Sequence, residues 1–460
     1  MATFFIEQFG CRATQADAAA IERQLRERGY AASADANSAN VVVVNTCTVT
    51  ASADLQARQT IHAIHRENPA ARIVVTGCYA QRAPEEIAEL AGVAWVVGNS
   101  HKSEIPRLVQ DMAPVSPRAS STGFVPLAAI GGESLPLERG PAKILTGNIL
   151  EQREFLFAPI EGGEAGHTRP VLKIQDGCDK RCAYCVIPHV RGRSRSLAPD
   201  RVLEEIRGLA ARGAREVVLS GIDLGNYGRD LQPRGDLGEL LRRILNETPI
   251  ERLRMSSIEP IDVSEDLIAL FATRERLARH FHMPMQSGSD RILAAMHRWY
   301  RAEHYARRAE LVREWLPDAA IGADVIAGFP GETEEDHRAT LSLIARLLLT
   351  YLHVFSFSPR PGTPAAELQD HVPAAVIARR AKELRALGEE KKAAFHAAQA
   401  GRTLRVLTLQ RSGEDTAGPW TRALSGNYLD VNVSGRWPSN QFLDVQVTGM
   451  KDGHLAGVAL

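Results

Sequence analysis

Three thiols fall within Gly177-Cys178-Asp179-Lys180-Arg181-Cys182-Ala183-Tyr184-Cys185, directly after the apolar run Val171-Leu172-Lys173-Ile174. Thiolates are soft ligands, and the spacing Cys-x3-Cys-x2-Cys lets a short loop wrap round an iron-sulfur cube. Three ligands for four irons leave one iron open to a substrate or cofactor. A structural zinc is the competing reading, with the neighbouring His189 as a fourth ligand.

The other three cysteines, Cys11, Cys47 and Cys78, each follow an apolar run: Phe4-Phe5-Ile6, Val41 to Val44, and Ile73 to Val75. Helical patterns from Gln15 to Leu25, Ala53 to His65 and Glu85 to Leu90 alternate with these runs, and a further run covers Trp95 to Gly98. Such alternation predicts an open parallel α/β sheet with helices on its faces. Parallel strands deliver their carboxyl ends to one edge, where ligands of such folds bind. The spacing therefore predicts a second three-cysteine metal site; the competing reading is three buried apolar thiols.

The elements that must position these groups span 460 residues, long enough for two or three domains. Lys plus Arg equals Asp plus Glu at 55 each, so net charge announces no nucleic-acid partner, and local patches would have to grip phosphates. No run of about 18 apolar residues occurs and the N-terminus lacks a signal-peptide pattern, which predicts a cytoplasmic protein without a membrane partner. Cysteines in such a chain read as metal ligands or catalytic thiols rather than disulfides.

Composition divides the chain into residues 1–111, a Pro-, Ser- and Gly-rich linker over 112–168, a central domain over 169–399 and a C-terminal domain over 400–460. A short strand is expected in the linker near Phe155-Leu156-Phe157. Six strand-helix units fill the central domain, with strands at Pro170 to Ile174, Glu216 to Ser220, Leu253 to Ser257, Phe281 to Met285, Ile321 to Ala327 and Leu352 to Phe357. They predict a partial (βα)6 barrel with its site at the strands' carboxyl rim. Ser220 and Gly221, Ser257 and Glu259, Gln286, and Gly328 lie on that rim. Each alone reads as a turn signal; together they suit a ligand's amino group or ribose.

Basic residues at Arg191, Arg193, Arg195 and Arg201, and at Arg298, Arg301, Arg307 and Arg308 around Trp299 and Tyr300, are candidate phosphate grips; a solvated surface is the alternative. Short alternating runs at Leu404 to Leu409, Tyr428 to Val433 and Phe442 to Val447 predict a small C-terminal β-barrel. Its six basic against five acidic residues give no excess of positive charge for gripping phosphates, and a barrel that only caps the central domain is one reading.

Over nearly its whole length the chain resembles the radical S-adenosylmethionine methylthiotransferases. The resemblance rests on the Cys178, Cys182, Cys185 loop, on Gly328-Phe329-Pro330-Gly331-Glu332-Thr333, and on Cys11, Cys47 and Cys78 in Phe9-Gly10-Cys11, Asn45-Thr46-Cys47-Thr48-Val49-Thr50 and Thr76-Gly77-Cys78-Tyr79-Ala80-Gln81. Asn45-Thr46-Cys47-Thr48-Val49-Thr50 with Met255-Ser256-Ser257-Ile258-Glu259-Pro260 is most similar to the MtaB-type branch, which acts on N6-threonylcarbamoyladenosine at position 37 of tRNA. The resemblance implies two 4Fe-4S clusters, one on each cysteine triad. It implies two equivalents of S-adenosylmethionine, one cleaved to a 5'-deoxyadenosyl radical and one a methyl donor, with attack at C2 of adenine. Tyr184 resembles an aromatic packed near the cofactor adenine, with plain loop packing as the alternative. The C-terminal barrel resembles an RNA-binding TRAM domain. Expected partners are a tRNA anticodon stem-loop and a flavodoxin- or ferredoxin-like donor, with the enzyme a monomer. Rival functions are methylthiolation of isopentenyladenosine-37 or of a ribosomal protein residue. A rival class is a non-catalytic iron-sulfur protein that binds RNA or senses redox state.

Overall fold

The computed structural model describes residues 2–112, 142–152, 155, 168–416, 418–451 and 453–460. They form two compact units: Met1–Gly10, Ile21–Thr48 and Ser52–Ile149 make the first, and Cys11–Ala20, Val49–Ala51 and Leu150–Leu460 the second.

The first unit is a six-stranded, wholly parallel sheet. Its strands are β1 (Thr3–Gln8), β2 (Ala31–Ala32), β3 (Val41–Thr46), β4 (Arg72–Gly77), β5 (Val93–Gly98) and β6 (Lys143–Leu145), ordered β2-β1-β3-β4-β5-β6. Successive side chains of a strand point to opposite faces, so a sheet covered on both sides needs an unbroken apolar run. In β3, Val42 and Val44 pack with Ile61, Ile73 and Val75, whereas Val41 and Val43 pack with Leu25, Val74 and Leu108. Each such buried valine contributes roughly 1.5–3 kcal/mol. Strand β6 comes from the stretch read as linker and pairs with β5 at Trp95↔Lys143. Of the strand expected near Phe155, Leu156 and Phe157 lie outside the described residues, and Phe155 has no regular structure.

The second unit holds β7 (Val171–Lys173), β8 (Gln175–Asp176), β9 (Arg195–Ser196), β10 (Glu216–Ser220), β11 (Arg252–Met255), β12 (His280–His282), β13 (Ala320–Ala327) and β14 (Tyr351–Ser356). Two three-stranded parallel sheets, β11-β10-β7 and β12-β13-β14, are joined by parallel bridges at Leu253↔Leu277 and Ser257↔His282. The result is the expected partial six-stranded barrel, with β8 and β9 paired as a small antiparallel clip beside it. Strands β15 (Thr403–Asp415), β16 (Gly418–Ser425), β17 (Asp430–Ser434), β18 (Phe442–Lys451) and β19 (His454–Ala459) close the predicted C-terminal barrel. No helix among the described residues is long and apolar enough to cross a membrane.

Two buried ionic networks brace this unit. Asp17 accepts from Lys173 Nζ at 2.6 Å and from Arg191 Nη2 at 3.0 Å, while Asp176 accepts from the same two cations at 2.8 and 2.9 Å. Arg195, also buried, donates to the carbonyls of Arg191 and Gln152. The expected phosphate grip at Arg191 and Arg195 is thereby corrected: burying a cation requires a local partner, so both are consumed as internal struts. In the second network Glu216 binds Arg254 at 2.7 Å and Arg252 and Arg169 at 3.4 Å. Arg254 and Arg252 also donate to the carbonyls of Leu424, Ser425 and Gly426, which fixes the C-terminal barrel onto β11.

Candidate functional site

Each cysteine group is set by a glycine that no other residue could replace without rearrangement. Gly177 has φ +73°, and a Cβ there would lie 1.9 Å from the Arg193 carbonyl oxygen. Gly77 has φ +100°, and a Cβ there would lie 2.2 Å from the Thr46 carbonyl oxygen. Both turn the chain sharply at a strand end so that the next residue, Cys178 or Cys78, begins a new direction.

In the second unit the Cys178 loop is clamped along its length. Cys178 N–H donates to Gly192 O at 3.0 Å, Ala183 N–H to Met296 O at 3.0 Å, and Gln175 Nε2 to Gly177 O at 2.8 Å. Lys180 Nζ reaches Asp223 at 2.8 Å and Asp262 at 3.4 Å, while Asp223 lies 3.6 Å from Cys178 Sγ. Arg298 Nη1 donates to Cys182 Sγ at 3.2 Å, and its other terminal nitrogen binds Glu259 and Tyr300. Arg298 therefore leaves the proposed surface patch and joins the cysteine loop, with Tyr300 buried beside it and Trp299 exposed. Burial, reinforced by Cys182, pushes the Cys185 thiol up to about 12, and burial with Asp223 raises Cys178 further. Such thiols stay protonated until a metal displaces the proton.

The rim residues separate into those that face a cavity and those that pack. Tyr184, Cys185 and Gln286 line a cavity of about 190 Å³ together with Asp324, Phe355 and Thr50. Gln286 sits at φ +64°, an unusual backbone state for a residue with a side chain. Glu259 joins the site through Arg298; burial raises its carboxyl despite that cation. Ser257 Oγ lies 2.6 Å from His282 Nδ1, on a wall where Asp324 lies 3.1 Å from His282 and 3.2 Å from His353. Ser220 is buried, and a Cβ on Gly221 would meet Gln175 at 2.9 Å. Gly328, at φ +79°, donates to Glu332 at 2.8 Å and backs onto Ile377. Glu332 is held in turn by Arg380 at 2.8 Å.

In the first unit Cys47 and Cys78 directly follow the adjacent strands β3 and β4, which pair at Thr46↔Gly77. Arg82, on the turn of helix begun by Cys78, donates to Thr48 Oγ1 at 2.9 Å and to Asp54 at 3.0 Å; Thr48 in turn donates to Asp54 at 2.6 Å. The loop after one cysteine is thus tied to the helix after the other. Arg58 donates to Tyr79 Oη at 2.7 Å and Asn99 Nδ2 to Cys78 Sγ at 3.6 Å. Cys11 lies three residues past β1, at the start of helix α1 (Arg12–Glu27), and belongs to the second unit. Arg82, Asp54, Asn99 and Gln175 escaped sequence reasoning because a polar residue within a helix or strand carries no signal of its partner.

A partial parallel barrel whose first strand feeds a Cys-x3-Cys-x2-Cys loop, with N–H donors aimed at the sulfurs, defines a radical S-adenosylmethionine enzyme. Residues 172–344 match the radical SAM superfamily, and residues 3–98 match the family described as uncharacterized protein family UPF0004. The threonylcarbamoyladenosine tRNA methylthiotransferase MtaB of Aquifex aeolicus is 35% identical over 93% of this chain and 96% of its own. The tRNA-2-methylthio-N(6)-dimethylallyladenosine synthase of Acidothermus cellulolyticus is 33% identical over 100% of this chain and 85% of its own. Among solved structures, the radical S-adenosylmethionine methyltransferase TsrM from Kitasatospora setae aligns with a TM-score of 0.55 at 18% identity, covering 80% of this chain and 77% of that one, which shows the fold alone. The chain belongs to the radical S-adenosylmethionine tRNA methylthiotransferase family. It is a sulfur-group transferase that uses S-adenosylmethionine and 4Fe-4S chemistry.

Proposed function

We propose that the enzyme methylthiolates C2 of N6-threonylcarbamoyladenosine at position 37 of tRNA. The observation that carries this reading is the near full-length match to the Aquifex relative bearing that activity in its name. Cys178, Cys182 and Cys185 would hold one 4Fe-4S cluster; Cys11, Cys47 and Cys78 would hold the second. With S-adenosylmethionine, clusters held there would supply the chemistry that exchanges an unactivated hydrogen for a methylthio group. The chain's own residues prepare that event. Arg298 orients Cys182 Sγ and neutralises the charge that ligation leaves there. Tyr184, Gln286 and Phe355 wall a cavity beside Cys185 in which reactants can be held together. In the first unit Arg82 and Thr48 keep the Cys47 and Cys78 loops in fixed register.

Functionally, residues 1–111 would carry the auxiliary cluster, 169–399 the radical chemistry and 400–460 an RNA-facing barrel, with 112–168 connecting them. The reading includes an anticodon stem-loop as substrate, a flavodoxin- or ferredoxin-like electron donor, and a monomeric cytoplasmic enzyme. Methylthiolation of a dimethylallyl-type adenosine is the second reading, favoured by the Acidothermus relative. Nucleoside mass spectrometry of tRNA from cells with and without the gene separates them. Loss of the 2-methylthio form of threonylcarbamoyladenosine alone supports the first reading; loss of the dimethylallyl-type product alone overturns it.

A further inference from the structure

Polar groups also gather away from the carboxyl rim of the barrel. Deeper along the strands, Arg12 Nη1 is buried and has no hydrogen-bond partner, and Nη2 makes one long contact, 3.5 Å to Tyr428 Oη. No carboxylate pairs with Arg12 among the described residues. The nearby acids are engaged elsewhere: Glu216 by Arg254, Arg252 and Arg169, and Asp324 by His282 and His353. Arg12 is half-buried, and its enclosed guanidinium nitrogen, costly to leave unpaired, is free to receive an anion.

The surroundings are built for a ligand. Tyr428 adopts φ +64°, a strained state for a tyrosine, and its turn is held rigidly. Ser425 Oγ donates to Asn427 Oδ1 at 2.6 Å, Asn427 Nδ2 donates to Asp318 O at 3.0 Å, and Arg254 Nη1 donates to Gly426 O at 3.1 Å. This turn sets the Tyr428 ring 4.3 Å from His280, nearly parallel, and 5.9 Å from the ring of Tyr351. His280 Nε2 lies 2.7 Å from Tyr351 Oη. Along β14, Tyr351, His353 and Phe355 alternate onto one face, so the strand runs from this cluster to the cavity that Phe355 lines beside Cys185. Four residues of strand span roughly 13 Å, a reach suited to a purine with an extended N6 arm.

We propose that Arg12, with the hydroxyls of Tyr428 and Tyr351, forms a carboxylate subsite that reads the end of the substrate's N6 arm. This rests on the substrate reading above: a threonylcarbamoyl arm ends in a carboxylate, and a dimethylallyl arm is hydrocarbon. Arg12 matches a carboxylate in a planar fork, and the tyrosines add neutral donors. Arg12 is thereby a specificity-determining residue, and Tyr428 carries the C-terminal domain's part in substrate choice.

The test uses the reconstituted full-length enzyme and anticodon stem-loops bearing threonylcarbamoyladenosine, its methyl ester, or a dimethylallyl-type adenosine. The wild type should prefer the free acid over the ester. Arg12→Met should raise KM for the acid roughly 10- to 100-fold, the weight of a charge-assisted hydrogen bond, with a smaller change in kcat, so that the preference over the ester collapses. Arg12→Lys should recover part of it, and Tyr428→Phe, which keeps the ring stack, should lose part of it. Iron content and melting temperature must match the wild type. Should Arg12→Met be too unstable to assay, Tyr428→Phe and Arg12→Lys carry the test. Equal loss on acid and ester, as a phosphate contact or a purely structural role would give, overturns the proposal, as does no loss. A wild type that modifies only the dimethylallyl-type stem-loop overturns the substrate reading itself, and the subsite with it.

Discussion

Replacing Glu216 by Gln removes one negative charge and little volume from a site where Glu216 and Arg254 are both fully buried. Arg254, Arg252 and Arg169 would then share the interior without an anion. Removing one partner of a buried pair costs about 3–5 kcal/mol. The carboxyl of Glu216 gives a second figure: burial raises its pKa, but Arg254, Arg169 and Arg252 more than reverse this and hold it at about 2 against an ordinary 4.5. That difference corresponds to about 3 kcal/mol, in line with the first figure. Because the folded value is depressed, this stabilisation is complete above about pH 4.5 and fades as pH falls toward 2. The loss should appear first where Arg252 and Arg254 hold Leu424, Ser425 and Gly426, so the C-terminal barrel should detach early. Urea unfolding at pH 7, with limited proteolysis mapping the released fragment, reads both effects. A double-mutant cycle with Arg254→Met isolates the pair. The wild type should lose its advantage over Glu216→Gln on acidification below pH 4.5. A cost under about 1 kcal/mol at pH 7, or an advantage that persists unchanged to pH 2, would refute the reasoning.

Further outcomes follow from the same geometry. Cys182→Ala should lower reconstituted iron from about eight to about four per chain and abolish S-adenosylmethionine cleavage, whereas Cys47→Ala should also leave about four but retain cleavage while losing the methylthiolated product; iron assay and product analysis check both, and unchanged iron in either defeats the two-cluster assignment. Arg298→Met removes an N–H donor 3.2 Å from Cys182 Sγ and should lower the cluster's reduction potential by roughly 60 mV, read by an electron-spin-resonance redox titration. Arg191→Glu places a third anion beside Asp17 and Asp176 and should destabilise the protein by at least about 4 kcal/mol; a stable variant with weakened tRNA binding would instead restore Arg191 as a phosphate contact.

Much of the candidate site was legible because its signals are local. Glycine before Cys78 and Cys178, and an apolar run before each cysteine, record a strand end and a sharp turn within a few residues. The strand-helix rhythm announced an open parallel sheet and a partial barrel, since strands covered on both faces must be continuously apolar, as Val41 to Val44 are. Charge was the poor guide. Arg191, Arg193 and Arg195 form one basic run in sequence, yet Arg191 and Arg195 are buried while Arg193 is exposed. Arg298 reads as part of a surface cluster and instead donates to a cysteine sulfur. A formal charge does not say whether its partner is water, a phosphate or an acid far away in the chain.

The sequence by itself determined the fold class, the Cys178, Cys182, Cys185 motif and the family chemistry, because periodicity, turn residues and ligand spacing are properties of short segments. Only the tertiary structure decided which polar residues serve the site. It set Arg298 on Cys182, tied Arg82 to the Cys47 loop, and brought Arg12 and Tyr428 together across 416 positions of sequence. Burial decides the role of an ion or hydrogen-bonding group, and burial is set by the packing of segments that share no local pattern.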